Sequence, residues 1–384
     1  MSRQLQAGVK RRASALHRSR KAAGARSLAP MAPGSSFAKP TSLFAAGLAL
    51  LALASSAGGS SGRQEGPTGR IAVEGDGDVI VVDARNRHKR QVAVFVESAP
   101  AWSPNGRDLA YVADGALRAR AMPSGSERTI TGLGGGFSVG SSWSPRGARL
   151  AFTLHGALDD EARLVVVSRN GRERHTVDRT SASYQVPSWS PDGRRIAYLR
   201  HSADGASAIW IVRPDGGGRR LLRRGAFDYP DSLSWSPDGG RIAFVGGGGG
   251  GAVAPALIVL RANGTRPRAV AAVPDQPTVG SVRWSPAGRW IAFLPWGQDD
   301  LADALCLVDP QSRRERVLAQ APYIDDVTWS PDGRWLAYLT ENPARPSGLP
   351  FSLWVIRADG SGNHRLARLN EQSDGLAWGR STRK

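Results

Sequence analysis

Asp231 and Asp326 are the pair of carboxylates by which this 384-residue chain could pass a proton. Each sits in a loop-like stretch between apolar runs, and positioned carboxylates serve as general acid and base. Glycosidases hold such pairs about 5–10 Å apart, so a lyase or glycan hydrolase is one reading. More carboxylates and tyrosines fall in comparable stretches: Tyr184, Asp228, Tyr229, Asp299, Asp300, Tyr323, Asp325 and Asp374. Tyrosines among carboxylates also suit plain binding, because rings add contact area and hydroxyls pair. Such a surface would take a basic or polyhydroxyl partner, or a weakly held cation. The simplest alternative is that acids are common wherever a loop meets water.

Other chemistries lack their residues. The histidines (His17, His88, His155, His175, His201 and His364) show no ligand spacing, and neither a His-Glu-x-x-His nor a calcium-loop pattern occurs. The glycine run 246–251 has no Lys-Ser/Thr after it and no helix to begin, so it is not a phosphate cradle. Cys306 stands alone in Ala-Leu-Cys-Leu-Val, a strand pattern that suits a buried structural thiol. Gly-x-Ser-x-Gly occurs at 58–62 and 136–140, but neither copy has the strand-to-helix setting of a nucleophile elbow. The expectation is no catalytic set, no metal and no cofactor, with enzyme activity left open.

A repeat must position these loops. Trp-Ser-Pro-x-Gly, followed by an arginine and an apolar-Ala-aromatic run, is headed by Trp102, Trp143, Trp189, Trp235, Trp284 and Trp329, with a degenerate copy at Trp378. The steps between them are 41, 46, 46, 49, 45 and 49 residues. That period holds about four short strands, one propeller blade. Around Trp189, strand A leads to the turn Ser190-Pro191-Asp192-Gly193, then to strand B at 195–198, strand C at 208–212 and strand D at 220–222. Proline pre-sets the turn and glycine takes positive φ. Asn-Gly and Asp-Gly pairs between C and D read as hairpins. The tryptophans read as wedges between neighbouring sheets rather than as a sugar-stacking surface.

The chain ends complete the ring. Residues 70–74, 79–83 and 91–95 read as strands B, C and D without an A, and Gly375-Leu376-Ala377-Trp378 supplies it. The predicted fold is all-β: a seven-bladed propeller of four-stranded antiparallel blades, the last closed by N- and C-terminal strands. A six-bladed ring is the runner-up, with 103–138 as the only stretch weak enough to drop out.

Half of the net charge of +18 belongs to the leader. Residues 1–57 hold nine Lys or Arg and no acid, which leaves 42 basic against 33 acidic residues in the rest. Without an aromatic-and-basic stripe or a reading motif, a specific nucleic-acid function is not expected. Residues 1–42 read as a basic leader or cytoplasmic tail, with Met31 as an alternative start. Residues 43–57 are an apolar run, either a signal-peptide core or a short anchor, and 58–68 are a Gly/Ser-rich linker before a propeller over 69–380. Either form of the run delivers the repeats outside the cytoplasm.

SWSPDGRRIAY (188–198), SWSPDGGRIAF (234–244) and TWSPDGRWLAY (328–338), with weaker copies at 101–111, 142–152 and 283–293, resemble the TolB-type, WD-like propeller repeat of exported bacterial proteins. The resemblance covers 69–380. It implies a propeller in the cell envelope, a binding or scaffolding role, and a protein or envelope polymer as partner. TolB itself is similar to a six-bladed propeller behind a small α/β domain, a domain for which residues 1–68 are too short.

In a four-strand meander the A–B and C–D turns share one end of the blade, and the B–C and D–A loops share the other. The short, formulaic first set is expected to be structural; the long, variable second set is where binding resides. That second set carries the carboxylates and tyrosines. Arg146, Arg149, Arg194, Arg195, Arg219, Arg220, Arg313, Arg314 and Arg334 crowd the first. The expected protein is a monomeric, extracytoplasmic scaffold that binds through its B–C and D–A face. Charge reversal at Asp231, Asp325 and Asp326 should then abolish binding with little effect on stability.

Overall fold

The computed structural model describes residues 65–75, 77–138, 140–156, 161–180, 183–184, 187–201, 207–225, 233–246, 256–273, 281–295, 303–321, 323–341, 351–369 and 373–381. The expected leader 1–42, the apolar run 43–57 and linker residues 58–64 lie outside them. Residues 64–384 form one compact unit, distinct from 1–63. No helix long and apolar enough to cross a membrane occurs among the described residues.

Seven antiparallel sheets make up the unit. The first six blades run from inner strand A to outer strand D. Blade 1 has Ala101–Trp102, Asp108–Ala113, Ala116–Ala121 and Glu127–Gly132; blade 2 has Ser141–Trp143, Arg149–His155, Ala162–Ser168 and Arg174–Thr180. In blade 3 strand A is split into Ser183–Tyr184 and Ser188–Trp189, both paired with Ile196–His201, followed by Ser207–Val212 and Arg220–Gly225. Blade 4 has Leu233–Trp235, Arg241–Gly246, Ala256–Arg261 and Arg268–Ala272. Blade 5 has Val282–Trp284, Ile291–Phe293, Asp303–Val308 and Glu315–Ala321; blade 6 has Ile324–Trp329, Trp335–Thr340, Ser352–Arg357 and His364–Arg368. Blade 7 takes its A strand, Ser373–Gly379, from the C-terminal end, and Arg70–Gly75, Asp78–Asp83 and Lys89–Ala93 from the N-terminal end. Each inner strand touches that of the next blade around the whole ring. The weak stretch 103–138 builds a full blade, so the count is seven.

Burial follows from this geometry. Strands B and C are covered on both faces by neighbouring sheets, so they read as continuous apolar runs: Ile196, Ala197, Tyr198 and Leu199 are all fully buried. The outer D strands meet water, and Glu315–Ala321 buries none of its residues completely. In all seven blades the C–D register shifts once, as between Ile209 and Trp210 or Leu353 and Trp354. A bulge adds local twist, which the outer edge of a propeller blade requires.

The repeat motif has a mechanical explanation. In Ser190-Pro191-Asp192-Gly193 the Ser190 hydroxyl accepts the Arg195 N–H at 2.9 Å, and Asp192 accepts the Ser190 hydroxyl and the Arg194 N–H. Gly193 has φ 70°, and a Cβ there would stand 3.5 Å from Pro145 of the preceding blade. The turns therefore stack glycine on proline around the ring. Tryptophan fixes the other contact. The Nε1 atoms of Trp143, Trp189, Trp235 and Trp329 donate to the carbonyls of Ala101, Ser142, Ser188 and Arg283, each the residue before the preceding blade's tryptophan, at 3.0–3.2 Å. Two copies depart: Trp284 bonds Gly288 of its own turn, and the buried Trp102 Nε1 has no partner. Trp378 closes the ring by donating to Thr68 at 2.9 Å.

Candidate functional site

The D–A connections begin where an outer strand has run out of partners and the chain must return to the axis. Among the described residues, three large aromatic side chains stand exposed on them: Phe95 (65%), Phe137 (46%) and Tyr323 (57%). All three lie where the connection pairs with the end of strand B: Phe137 itself pairs with His155, while Phe95 and Tyr323 directly precede Val96, paired with Ala113, and Ile324, paired with Thr340. Phe95 and Tyr323 have φ of 54° and 53°, a left-handed conformation costing about 1–2 kcal/mol for a residue with a Cβ. In blade 3 Ser183 pairs with the last residue of strand B, His201, and Tyr184 follows it, paired with Arg200; the Tyr184 side chain is outside the described ones. Sequence reasoning singled out Tyr184 and Tyr323 but not Phe95 and Phe137. For Phe137 the available signal was an aromatic in a glycine-rich stretch after a D strand; Phe95 stands in the apolar run 91–95 read as strand D, and gave none.

Asp326 is not placed as a loop carboxylate. It is buried, and its Oδ1 accepts the Ser281 hydroxyl and its neighbour's N–H, Val327, at 2.8 Å, with the Arg283 guanidinium 3.6 Å away. Its Oδ2 accepts the Leu376 N–H at 2.9 Å. These partners belong to blades 5, 6 and 7, so the carboxylate clamps three inner strands beside the ring closure. The expectation that charge reversal here spares stability therefore runs against the geometry: a buried side chain held by three blades is part of the frame. Asp325, half-buried, lies on the inner strand Ile324–Trp329 two residues after Tyr323, and Asp303 accepts the Ile324 N–H at 2.9 Å. Asp228, Tyr229, Asp231, Asp299 and Asp300 lie outside the described residues, as does the side chain of Asp374, so the Asp231–Asp326 separation is not defined.

Beside Phe95 a cleft of about 330 Å³ runs between blades 7 and 1, lined by Gln91, Phe95, Tyr111, Asp114, Arg118 and Glu127 among others. Its floor is a polar chain. Tyr111 donates to Glu127, and Arg118 bridges Glu127 at 2.7 Å and Asp114 at 2.9 Å. Partial burial opposes ionisation of Glu127, but the hydrogen bonds from Tyr111 and Arg118 outweigh it and hold the carboxyl below its usual range. Burial, then the bond to Glu127, raises the Tyr111 phenol above its ordinary value. Glu97 goes the other way: partial desolvation, then the Asp114 charge, pushes its carboxyl up against one N–H from Gly115.

Burial, then the nearby Glu315, pushes the Cys306 thiol up to about 12, which leaves it protonated and inert. His155 is stacked on Phe137 at 4.8 Å, and burial lowers its basicity. No group of three or more His, Cys, Asp or Glu side chains able to hold a metal occurs among the described residues.

Comparison with known proteins agrees with this architecture. The TolB beta propeller domain family matches residues 124–382. Similar solved structures include TolB from Acinetobacter baumannii, 16% identical with a TM-score of 0.52 over 82% of this chain and 67% of that one. An oligogalacturonate lyase from Vibrio parahaemolyticus is 11% identical with a TM-score of 0.59 over 78% and 86%. A periplasmic gluconolactonase from Pseudomonas aeruginosa is 16% identical with a TM-score of 0.54 over 81% and 98%. At these identities the likeness is one of fold. No curated protein matches the sequence. With the family match spanning more than half of the chain and seven blades built from its repeat, this chain belongs to the TolB beta propeller domain family.

Proposed function

We propose that the chain is an exported, monomeric, non-catalytic scaffold of the cell envelope. It binds a protein or envelope polymer through the face that carries the B–C and D–A connections. The observation that carries this reading is the exposure of Phe95, Phe137 and Tyr323 on the D–A connections of one face. Large exposed aromatics are otherwise costly to leave in water and mark interaction surfaces. Carboxylates accompany them: Glu97, Asp114 and Asp325 among the described residues, with Asp228, Asp231, Asp299 and Asp300 in the sequence of the same set of connections. An aromatic surface in an acidic field suits a basic or polyhydroxyl partner. The apolar run 43–57 supports delivery outside the cytoplasm, either cleaved or kept as a tether.

The test is capture of partners from envelope extracts on the immobilised full-length chain. Phe95→Ser combined with Tyr323→Ser should lose the captured species while the thermal midpoint stays within a few degrees. Val317→Ser removes an equally exposed apolar side chain from an outer strand and should retain them. Equal capture by all three proteins would defeat the reading. Fractionation of a tagged full-length chain tests export separately.

A further inference from the structure

The opposite face has a sharply different charge. Between strands A and B of blades 1–6, and between strands C and D of all seven blades, the turns carry 15 Arg and 7 Asp or Glu. The B–C and D–A connections carry, by sequence, 14 Asp or Glu and one basic residue, Arg345. The two sets of turns on the basic side form one surface. Within blades they are tied by backbone bonds, Met122 to Arg107, Arg169 to Ala148, Ala262 to Gly240 and Ala358 to Arg334. Between blades arginines reach across, Arg195 to Gly239 and Arg268 to Gln311.

Six of the seven acids on this surface, all but Glu173, are occupied within their own turns. Asp192, Asp215, Asp238, Asp309, Asp332 and Asp359 each accept a backbone N–H two residues on. Arg146, Arg194, Arg261 and Arg314 are exposed, and none takes part in an ion pair among the described residues. Arg146 stands where three other copies of the motif have aspartate, Asp192, Asp238 and Asp332.

The chain also enters the propeller here. The Glu65 carbonyl accepts Arg357 at 2.9 Å, and its carboxylate lies 4.0 Å from Arg334, both at the basic turns of blade 6. Seven residues, 58–64, separate Glu65 from the apolar run. Fully extended they reach about 25 Å. A bilayer that held the run would lie within that reach of Glu65, which sits at the basic turns.

From charge and chain path together we propose that the turn face docks on the anionic phospholipid headgroups of a membrane, which turns the acidic, aromatic face outward. Arginine clusters gain affinity at such a surface residue by residue, and the gain is screened by salt. This docking is independent of what the opposite face binds.

The experiment is co-sedimentation of the full-length chain with vesicles of 30% phosphatidylglycerol in phosphatidylcholine, against vesicles of phosphatidylcholine alone. Neutralising Arg146, Arg194, Arg261 and Arg314 to Gln together leaves the basic leader intact. It should lower affinity for the anionic vesicles at least tenfold at low salt and leave neutral vesicles unaffected. Asp114→Asn with Glu97→Gln, on the other face, should not weaken binding. Undiminished binding of the arginine variant would assign anionic attraction to the leader and overturn the proposal. A second measurement avoids reliance on that variant's fold. A polarity-sensitive dye on Ser124→Cys, in a turn of the basic face, should shift on anionic vesicles, and one on Val94→Cys should not; Cys306 is buried and does not compete for label. The reverse pattern would overturn the proposed orientation.

Discussion

Asp326→Asn separates a structural carboxylate from a binding one. An amide can present only one acceptor oxygen, whereas Asp326 uses both: Oδ1 toward Ser281 and Val327, Oδ2 toward Leu376. The variant's NH₂ group must therefore face a backbone N–H, of either Val327 or Leu376, in a site where the Asp326 side chain is only 10% exposed. Losing a hydrogen bond to a charged group costs about 1.5–3 kcal/mol, and leaving a buried donor unsatisfied adds about 1–3 kcal/mol. The expected total is roughly 3–5 kcal/mol, in line with removal of one partner from a buried charge arrangement. Urea unfolding followed by tryptophan fluorescence reads this directly, because the blade tryptophans report the inter-blade seams. Arg283→Gln and the double variant complete a cycle, whose coupling should be about 0.5–3 kcal/mol for groups in contact. A midpoint unmoved by Asp326→Asn, together with lost partner capture, would refute the clamp and return Asp326 to the binding face.

Trp235→Ala should destabilise by roughly 3–5 kcal/mol as a core deletion. Trp235→Phe gives up the bond to Ser188 and should cost about 1 kcal/mol more than Trp102→Phe, whose Nε1 has no partner to lose; denaturant midpoints compare them. The turn carboxylates predict acid sensitivity. Bonds from Ser236 and Gly240 hold Asp238 below its usual range, and bonds from Ser361 hold Asp359 there too. Their folded values lie below the unfolded one, so their stabilisation is complete above about pH 4 and is lost as pH falls through the folded values. Thermal midpoints scanned downward from pH 7 should fall in that acid range, and less steeply in Asp238→Asn.

The repeat made the fold legible because Trp-Ser-Pro-x-Gly is a local device. Serine, aspartate and glycine close the turn within six residues, as at 190–195, and only the tryptophan and proline look to a neighbouring blade. The period and the orphan strands at 70–95 were enough to count seven blades and to close the ring. Charge segregation was legible too, since a meander sends alternate connections to opposite ends. Tertiary structure decided the rest. Asp325 and Asp326 are adjacent in sequence, yet alternation along an inner strand sends Asp326 inward to contact three blades, while Asp325 stays half-buried. The exposure of Phe95 and Phe137 depends on where an outer strand loses its partner, and the bulge between strands C and D depends on the twist of a closed ring. Neither is encoded within one repeat, because both are set by what the neighbouring sheet leaves uncovered.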